Sequence, residues 1–419
     1  MAVNIEPARF APGVRNIEPA RFAPGVRNIT DYFKSHEKTD VVEVNLTAEQ
    51  VEQIGKELDD LRNRIVADLG QSDRDYIYGI IEAQRKLEFA GRAMMYFPFL
   101  PPVWLAGVAS LGISKILDNM EIGHNVMHGQ YDWMREDTYN SREFDWDNVC
   151  PGDQWKHSHN YMHHTFTNVL DEDRDIGYGI LRMARDQKWN PYYLGNLGYA
   201  TALMLLFEWG VMLHDLEAEN LVQGKRKWTD VKGLVKGMWR KASKQVFKDY
   251  IAYPALTGPF FVTTLIGNAG ANLIRNVWAY SIIFCGHFPT GAQTFTKEET
   301  ENETKGEWYL RQMLGSANIE GGDLFHIMSG NLSHQIEHHL FPDVPANRYP
   351  EMAEEVRAIC EKYGLPYNTG SLSHQLASTW TKIAKLSLPN FMTEDDNNIV
   401  LNIERSKDAA KATRSTKVA

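Results

Sequence analysis

Cysteine is scarce in this chain: Cys150, Cys285 and Cys360 are the only three in 419 residues. They lie far apart and form no CxxC pair, which excludes a disulfide framework and an iron–sulfur site. No GxGxxG stretch is present, so the chain brings no flavin or nicotinamide domain of its own. Basic residues are in the minority, 44 against 54 acidic, and the net charge of -10 opposes nucleic-acid binding. No nucleic-acid module is visible either. The N-terminus, MAVNIEPARFAPGVR, lacks the apolar core of a signal peptide, so sorting is expected to depend on internal segments.

The mean hydropathy of -0.40 suggests a water-soluble chain, but the average hides three long apolar runs. They are residues 94–117, 197–213 and 253–288. A membrane-crossing helix needs about 20 predominantly apolar residues. The third run is nearly twice that and carries Asn268, Gly270 and Asn272 near its middle, so it is expected to be a hairpin of two spans. The alternative is the buried centre of a large soluble helical protein. The expectation is an all-α integral membrane protein with transmembrane hairpins and a cytoplasmic helical cap.

From Thr47 a helix is predicted, with Gln50 completing a capping box and Val51, Ile54, Leu58, Leu61 and Ile65 on one face. Residues 225–248 carry nine Lys or Arg against one Asp, beside an apolar stripe of Trp228, Val231, Val235, Met238 and Ala242. Such a helix lies on an anionic membrane surface and keeps its loop cytoplasmic, or it is simply a solvated charged face. At the N-terminus NIEPARFAPGVR occurs twice in tandem, at 4–15 and 16–27. Residues 1–45 are therefore expected to be a disordered arm, 46–390 the functional domain and 391–419 a polar tail.

What the chain has in plenty is histidine: fourteen, unevenly placed. His124 and His128 sit in EIGHNVMHGQ, directly after the first apolar run. His157, His159, His163 and His164 lie in KHSHNYMHHTFTN, His287 in CGHFPTG, and His334, His338 and His339 in SHQIEHHLFP. Residues four apart share a helix face, so His124/His128 and His159/His163 can each aim two imidazoles at one point. Neutral imidazole suits Fe, Zn, Cu and Ni, and eight or nine rings exceed what one ion can take. A dinuclear metal site is expected. There is no HExxH, so a zincin is excluded, and Glu121-Ile122-Gly123-His124 is the single ExxH, too few for a ferritin-like carboxylate site.

HNVMH, HNYMHHTFTN and QIEHHLFP, in that order and separated by apolar runs, resemble the three histidine boxes of the membrane fatty acid desaturases. The surrounding LDNMEIGHNVMHGQYDWM, WYLRQMLGSANI and GNLSHQIEHHLFPDVPANRYPE are similar to the actinobacterial acyl-CoA Δ9 desaturases. Carried over position by position, the resemblance implies metal ligands at His124, His128, His159, His163, His164, His287, His338 and His339. A ninth ligand stays open between His334 and Gln335, directly or through water. His157 is expected to orient ligands from behind. Asp171, Asp173 and Asp175 either accept the free N–H groups of ligand imidazoles or form a solvated acidic loop. His36, His214, His326 and His374 match no box.

The resemblance further implies two iron ions per chain, O2 as co-substrate and removal of two hydrogens from neighbouring carbons of a long-chain acyl-CoA, stearoyl-CoA to oleoyl-CoA. The CoA phosphates are expected on Lys156, Lys225, Arg226 and Lys227, with Arg182 and Arg185 nearby. Without a bound flavin, haem, iron–sulfur cluster or the HPGG of a fused cytochrome b5, the electrons must come from a separate NADPH-dependent flavin/iron–sulfur oxidoreductase or ferredoxin. The expected location is the bacterial plasma membrane with the active site on the cytoplasmic face. The rivals are a membrane di-iron alkane or fatty-acid hydroxylase and a histidine-rich metal transporter, although transporters place such ligands near the bilayer midplane. One shared site also requires the second and third boxes to lie on the same side of the membrane. The 197–213 run, with Glu208 inside it, is therefore expected in the interface or against the protein.

Overall fold

The computed structural model describes residues 42–217, 221, 224, 226–393 and 399–404. The duplicated arm, Lys225 and the end of the tail lie outside these residues. Strand β1 (Val42–Thr47) leads into helix α1 (Ala48–Asp68), and Thr47 caps it as predicted. The Thr47 hydroxyl accepts the Gln50 N–H at 3.2 Å, while Gln50 Oε1 accepts the Thr47 N–H at 2.9 Å. Two donors that a helix end leaves open are thereby satisfied.

Helices α2 (Gln71–Met94) and α3 (Pro101–Ile116) form a hairpin. At Gly91 the two backbones meet: a Cβ there would lie 2.9 Å from Gly107 O and 2.8 Å from Leu111 N. Helix α3 continues without interruption into a π-helical stretch, Leu117–His124, which delivers the first histidine box. A second π-helical stretch, Lys156–His163, delivers the next. Further along come α4 (Asn196–Leu205), α5 (Phe207–His214), α6 (Trp228–Phe247), α7 (Phe261–His287), α8 (Lys305–Leu314), α9 (Gln335–Leu340), α10 (Tyr349–Tyr363) and α11 (Leu372–Leu386). The described residues are mostly helical.

Strands β2 (Asn318–Glu320) and β3 (Thr369–Ser371) pair in parallel, as do β1 and β4 (Ile399–Glu404) in the register Val42↔Ile399. Strand β4 falls within the segment expected to be a polar tail. Its Ile399, Leu401 and Ile403 alternate toward a core shared with Val44, Leu46 and Leu58, a period-two pattern that a tail reading overlooks.

The 253–288 run is not a hairpin of two spans. It contains one 27-residue helix, α7, about 40 Å long, preceded by a turn at Gly258, where φ is +58°. Asn268 and Asn272 do not break it, because their side chains bond sideways to the segment Lys248–Ala252. Asn268 Nδ2 donates to Asp249 O at 2.5 Å and Asn272 Nδ2 to Tyr250 OH at 2.9 Å.

The 197–213 run is broken at Leu206, and the 191–205 and 207–214 pieces bend by 102°. Asn276 of α7 satisfies the backbone groups freed there. Its Oδ1 accepts the Glu208 N–H at 3.4 Å, and its Nδ2 donates to Leu205 O at 3.0 Å. No single described helix is long and apolar enough to cross a membrane; this bent pair passes that test by length and composition only.

The close approach of α2 and α3 gives a stability prediction. Gly91→Ala should lower stability by about 1–3 kcal/mol, since backbone rather than a movable side chain stands in the way. Thermal unfolding in detergent measures it. A melting temperature equal to wild type would show that the hairpin can separate at no cost.

Candidate metal centre

The second box is built on a π-turn, and this explains its HxxxHH spacing. In a turn closed by i→i+5 bonds, both i+4 and i+5 return close to the starting face. The His164 N–H bonds to His159 O across that step. His163 and His164 therefore flank His159, where an ordinary α-turn would carry His164 away. The first box follows its own π-helical stretch, and the rings of His124 and His128 lie 4.5 Å apart.

The third box occupies the short α9. Its start is pinned by Asn318, whose Oδ1 accepts the Ile336 N–H at 2.9 Å and whose Nδ2 donates to Glu337 at 2.8 Å.

All eight histidines named from the boxes and from CGHFPTG converge. The ligand nitrogens of His124, His128, His159 and His338 lie within 4.8 Å of one another, and so do those of His163, His164 and His339. His287 closes the second group, its ring 4.7 Å from His163 and 4.8 Å from His339.

Five of the outward nitrogens are tied. His124 Nδ1 meets Asn125 Oδ1 at 2.9 Å, His163 Nδ1 meets Asp173 at 2.9 Å, His159 Nδ1 meets Asp175 at 3.2 Å and His338 Nδ1 meets Tyr349 OH at 3.2 Å. His339 Nδ1 lies between Gln312 Oε1 and Thr167 Oγ1, each at 3.1 Å. Meanwhile the Nε2 atoms of His124, His128, His159, His163, His164 and His338 are buried with no hydrogen-bond partner among the described residues. Fixing Nδ1 from behind and leaving Nε2 bare and inward is the arrangement of metal-binding imidazoles. The donor set therefore fits two adjacent metal ions, and an unpaired buried nitrogen would otherwise be costly.

The electrostatics agree. Burial, reinforced by His159, lowers His124 to about 3. Burial and mutual repulsion hold His128, His164, His338 and His339 well below the ordinary imidazole value. These rings are neutral at physiological pH, as metal ligands must be. For His163 burial acts in the same direction, but Asp173 and Asp175 outweigh it and raise the value.

The remaining candidates divide. Asp173 and Asp175 are buried behind the second box, whereas Asp171 is exposed with a φ of +65°. His157 is exposed beside Tyr161, so the expectation that it orients ligands is corrected: two residues before His159, it faces the other side of the turn. His334 turns to His326, with rings 4.5 Å apart, and takes no part in either group. Gln335 instead reaches the centre, its Nε2 2.9 Å from His287 Nε2. Gly286 makes room for it, since a Cβ there would lie 2.9 Å from the Gln335 side chain. Lys156 is engaged with the backbone of Ser141 at 2.7 Å, and Arg182 with the carbonyls of Gln187, Leu386 and Leu388. Neither is available to a phosphate without giving up those bonds.

Several supports carry no spacing signal. His214 is buried with Nε2 3.2 Å from Asp175. Asn168, in the left-handed region at φ +56°, donates to the carbonyls of Gln293 and Gly315 at 2.8 and 2.7 Å, and Arg311 holds the carbonyls of Thr165 and Thr167 at 2.9 and 3.0 Å. Glu121 is fully buried between Tyr76 OH at 2.7 Å and Asn331 Nδ2 at 3.0 Å.

Against this geometry the comparisons with known proteins are decisive. A family model described as fatty acid desaturase matches residues 101–371. The chain belongs to the fatty acid desaturase family. It is 47% identical over 363 residues, 85% of each chain, to a protein of Mycobacterium tuberculosis named NADPH-dependent stearoyl-CoA 9-desaturase. A Synechocystis sn-1 linoleoyl-lipid 6-desaturase is 26% identical over 290 residues, covering 65% of this chain and 77% of that one. Human fatty acid desaturase 3 is 23% identical over 225 residues, covering 51% and 45%. In keeping with the family, the chain is an oxidoreductase.

Two predictions follow from the site. Asp173→Asn should weaken metal affinity about 10- to 100-fold while His157→Ala leaves metal content unchanged; elemental analysis of the purified variants reads both. Equal loss in the two would contradict the placement of His157. Separately, burial pushes Glu121 up to about 8 from its ordinary 4.5. The folded state thus holds a proton that the unfolded state releases, and stability should fall as pH rises between those values. Glu121→Gln should flatten the dependence of Tm on pH there, and an unaltered slope would assign it to other groups.

Proposed function

We propose that the chain converts stearoyl-CoA to oleoyl-CoA at a centre of two iron ions held by His124, His128, His159 and His338 on one side and His163, His164, His287 and His339 on the other. One observation carries this reading: His124, His159 and His287 of the centre line a narrow, largely enclosed cavity whose surface is mostly apolar. Its walls include Met120, Trp155, Tyr178, Phe207, Val211 and Leu332. The 47% identity to the mycobacterial enzyme supports the same substrate and bond position.

The acyl chain loses two hydrogens, O2 takes them together with two electrons and two protons, and two waters leave. Bound iron supplies the oxidising power toward unactivated C–H bonds, which no side chain of this protein possesses. The protein's own residues do the rest. Asn125, Asp173, Asp175, Tyr349 and Gln312 hold His124, His163, His159, His338 and His339 in one tautomer and direction. Trp155, stacked on His159 at 4.4 Å, and the apolar walls exclude water and align the methylenes, which offer no polar handle.

The electrons come from a separate NADPH-dependent reductase or ferredoxin. Membrane association rests on the apolar runs and on α6, where exposed Trp228 and Trp239 stand beside Lys232, Lys236, Arg240 and Lys244. The same basic face, with Arg226 and Lys227 just before it, receives the CoA phosphates from the cytoplasmic side.

The test is turnover by the detergent-purified, iron-loaded protein given stearoyl-CoA, O2, NADPH and a ferredoxin system, with fatty acids identified by mass spectrometry. Oleate that disappears in His163→Ala is the expected result. Hydroxystearate would transfer the centre to the hydroxylases, and metal flux without O2 consumption would transfer it to the transporters.

A further inference from the structure

We propose that the buried ion pair between Arg275 and Glu208 is the floor of the acyl-chain cavity and sets how many carbons the protein accepts beyond the reacting bond. The proposal rests on the acyl-chain reading given above. Helix α7 lines the cavity with Arg275, Asn276, Ala279, Ile283 and His287; Arg275, Ala279, Ile283 and His287 recur every four residues and so share one face. Twelve residues separate Arg275 from His287, about 18 Å along the helix axis. One end of this face belongs to the histidine centre and the other is charged.

The charged end is tied from three elements. Arg275 Nη2 lies 2.6 Å from Glu208 Oε1 of α5, with side-chain exposures of 2% and 8%. Arg275 Nε and Nη2 donate to Asn276 Oδ1 at 3.2 and 3.1 Å, and Nη1 reaches Asn119 Oδ1, on the π-helical stretch before His124, at 3.5 Å. Asn119 Oδ1 also accepts from Asn148 at 2.8 Å. A methyl terminus gains by burial against apolar wall up to this point. To go further it must separate two buried opposite charges, and that loss exceeds what another methylene returns.

The dimensions agree. A double bond at carbon 9 of an 18-carbon chain leaves eight carbons beyond carbon 10, roughly 10 Å when extended. The face between Arg275 and His287 runs for about 18 Å of helix axis, long enough for that tail. Ala279, small and one turn above Arg275, lines the cavity without filling it.

The experiment compares wild type with the double variant Arg275→Met/Glu208→Leu on saturated acyl-CoAs of about 14 to 22 carbons. Exchange of a buried pair for apolar residues of similar size is commonly tolerated by the fold. Turnover of the 20-carbon substrate relative to the 18-carbon one should rise at least about tenfold. Thermal stabilisation of the metal-free full chain by the same series should peak at a longer chain than in wild type. An unchanged ratio and an unchanged peak in a folded double variant overturn the proposal.

Should the double variant fail to fold, Ala279→Leu raises the floor by one turn of α7. It must move the optimum to chains shorter by roughly four carbons; an unmoved optimum overturns the proposal equally. Wild-type protein that neither binds nor converts any acyl-CoA removes the acyl-chain reading itself, a failure visible before any variant is made.

Discussion

Crowding eight imidazoles into a dry pocket is possible only if nearly all of them stay uncharged, and the polar centre is organised around that requirement. Rings at 4.5–5.4 Å cannot be protonated together, and burial already favours the neutral form. Neutrality alone does not aim a lone pair, because either ring nitrogen can carry the proton. Asn125, Tyr349, Gln312 and the Asp173/Asp175 pair settle this from outside by engaging Nδ1. Negative charge is placed behind the second box only, where Asp173 keeps His163 the most basic ring of the set. The two halves of the centre are therefore electrostatically unequal before any ion is considered.

The surrounding fold translates that requirement into backbone. Two π-helical stretches, unusual in themselves, present the first two boxes with their rings on one side. Arg311 takes the carbonyls of Thr165 and Thr167 as the chain leaves the second box, and Asn168 ties the same loop to the carbonyls of Gln293 and Gly315. Helix α7 ends at His287 and brings its own neighbour Gly286 to admit Gln335. Each box thus depends on residues far away in the chain, which is why the centre is buried between two apolar clusters and not carried on one of them.

Much of the centre was legible in the sequence, since box histidines repeat at spacings that bring them to one face and a hydrophobic run borders each cluster. The capping box at Thr47 and the face of α1 were equally plain. Other features carry no periodic signal. Asp171, Asp173 and Asp175 are indistinguishable by composition, and only the turn at Val169–Asp175 decides that two face inward and one faces water. His157 reads as a neighbour of the site because it sits in the same histidine-rich run, but it lies on the opposite side of the turn from His159, and the sequence does not show that this side meets solvent. Asn268 and Asn272 imitate a hairpin turn because asparagine within an apolar run has two uses, ending a helix or bonding sideways to another element, and sequence does not tell them apart. His214 and Glu121 owe their positions to partners more than thirty residues away.

The broken helix at Leu206 and the charged end of the cavity are one construction. A straight helix across residues 196–214 would satisfy its own backbone and leave the Asn276 amide N–H without Leu205 O. The 102° bend frees Leu205 O and the Glu208 N–H, and Asn276 takes both with opposite ends of its amide. That same amide oxygen receives Arg275, which is in turn held at Glu208, the second residue after the break. Removing the bend would therefore withdraw Glu208 and leave Arg275 as an unpaired buried charge, a far larger loss than the hydrogen bonds of one helical turn. The bend is stable because the ion pair needs it, and the ion pair sits where it does because the bend places Glu208 opposite α7. The charged end of the cavity follows from this mutual dependence.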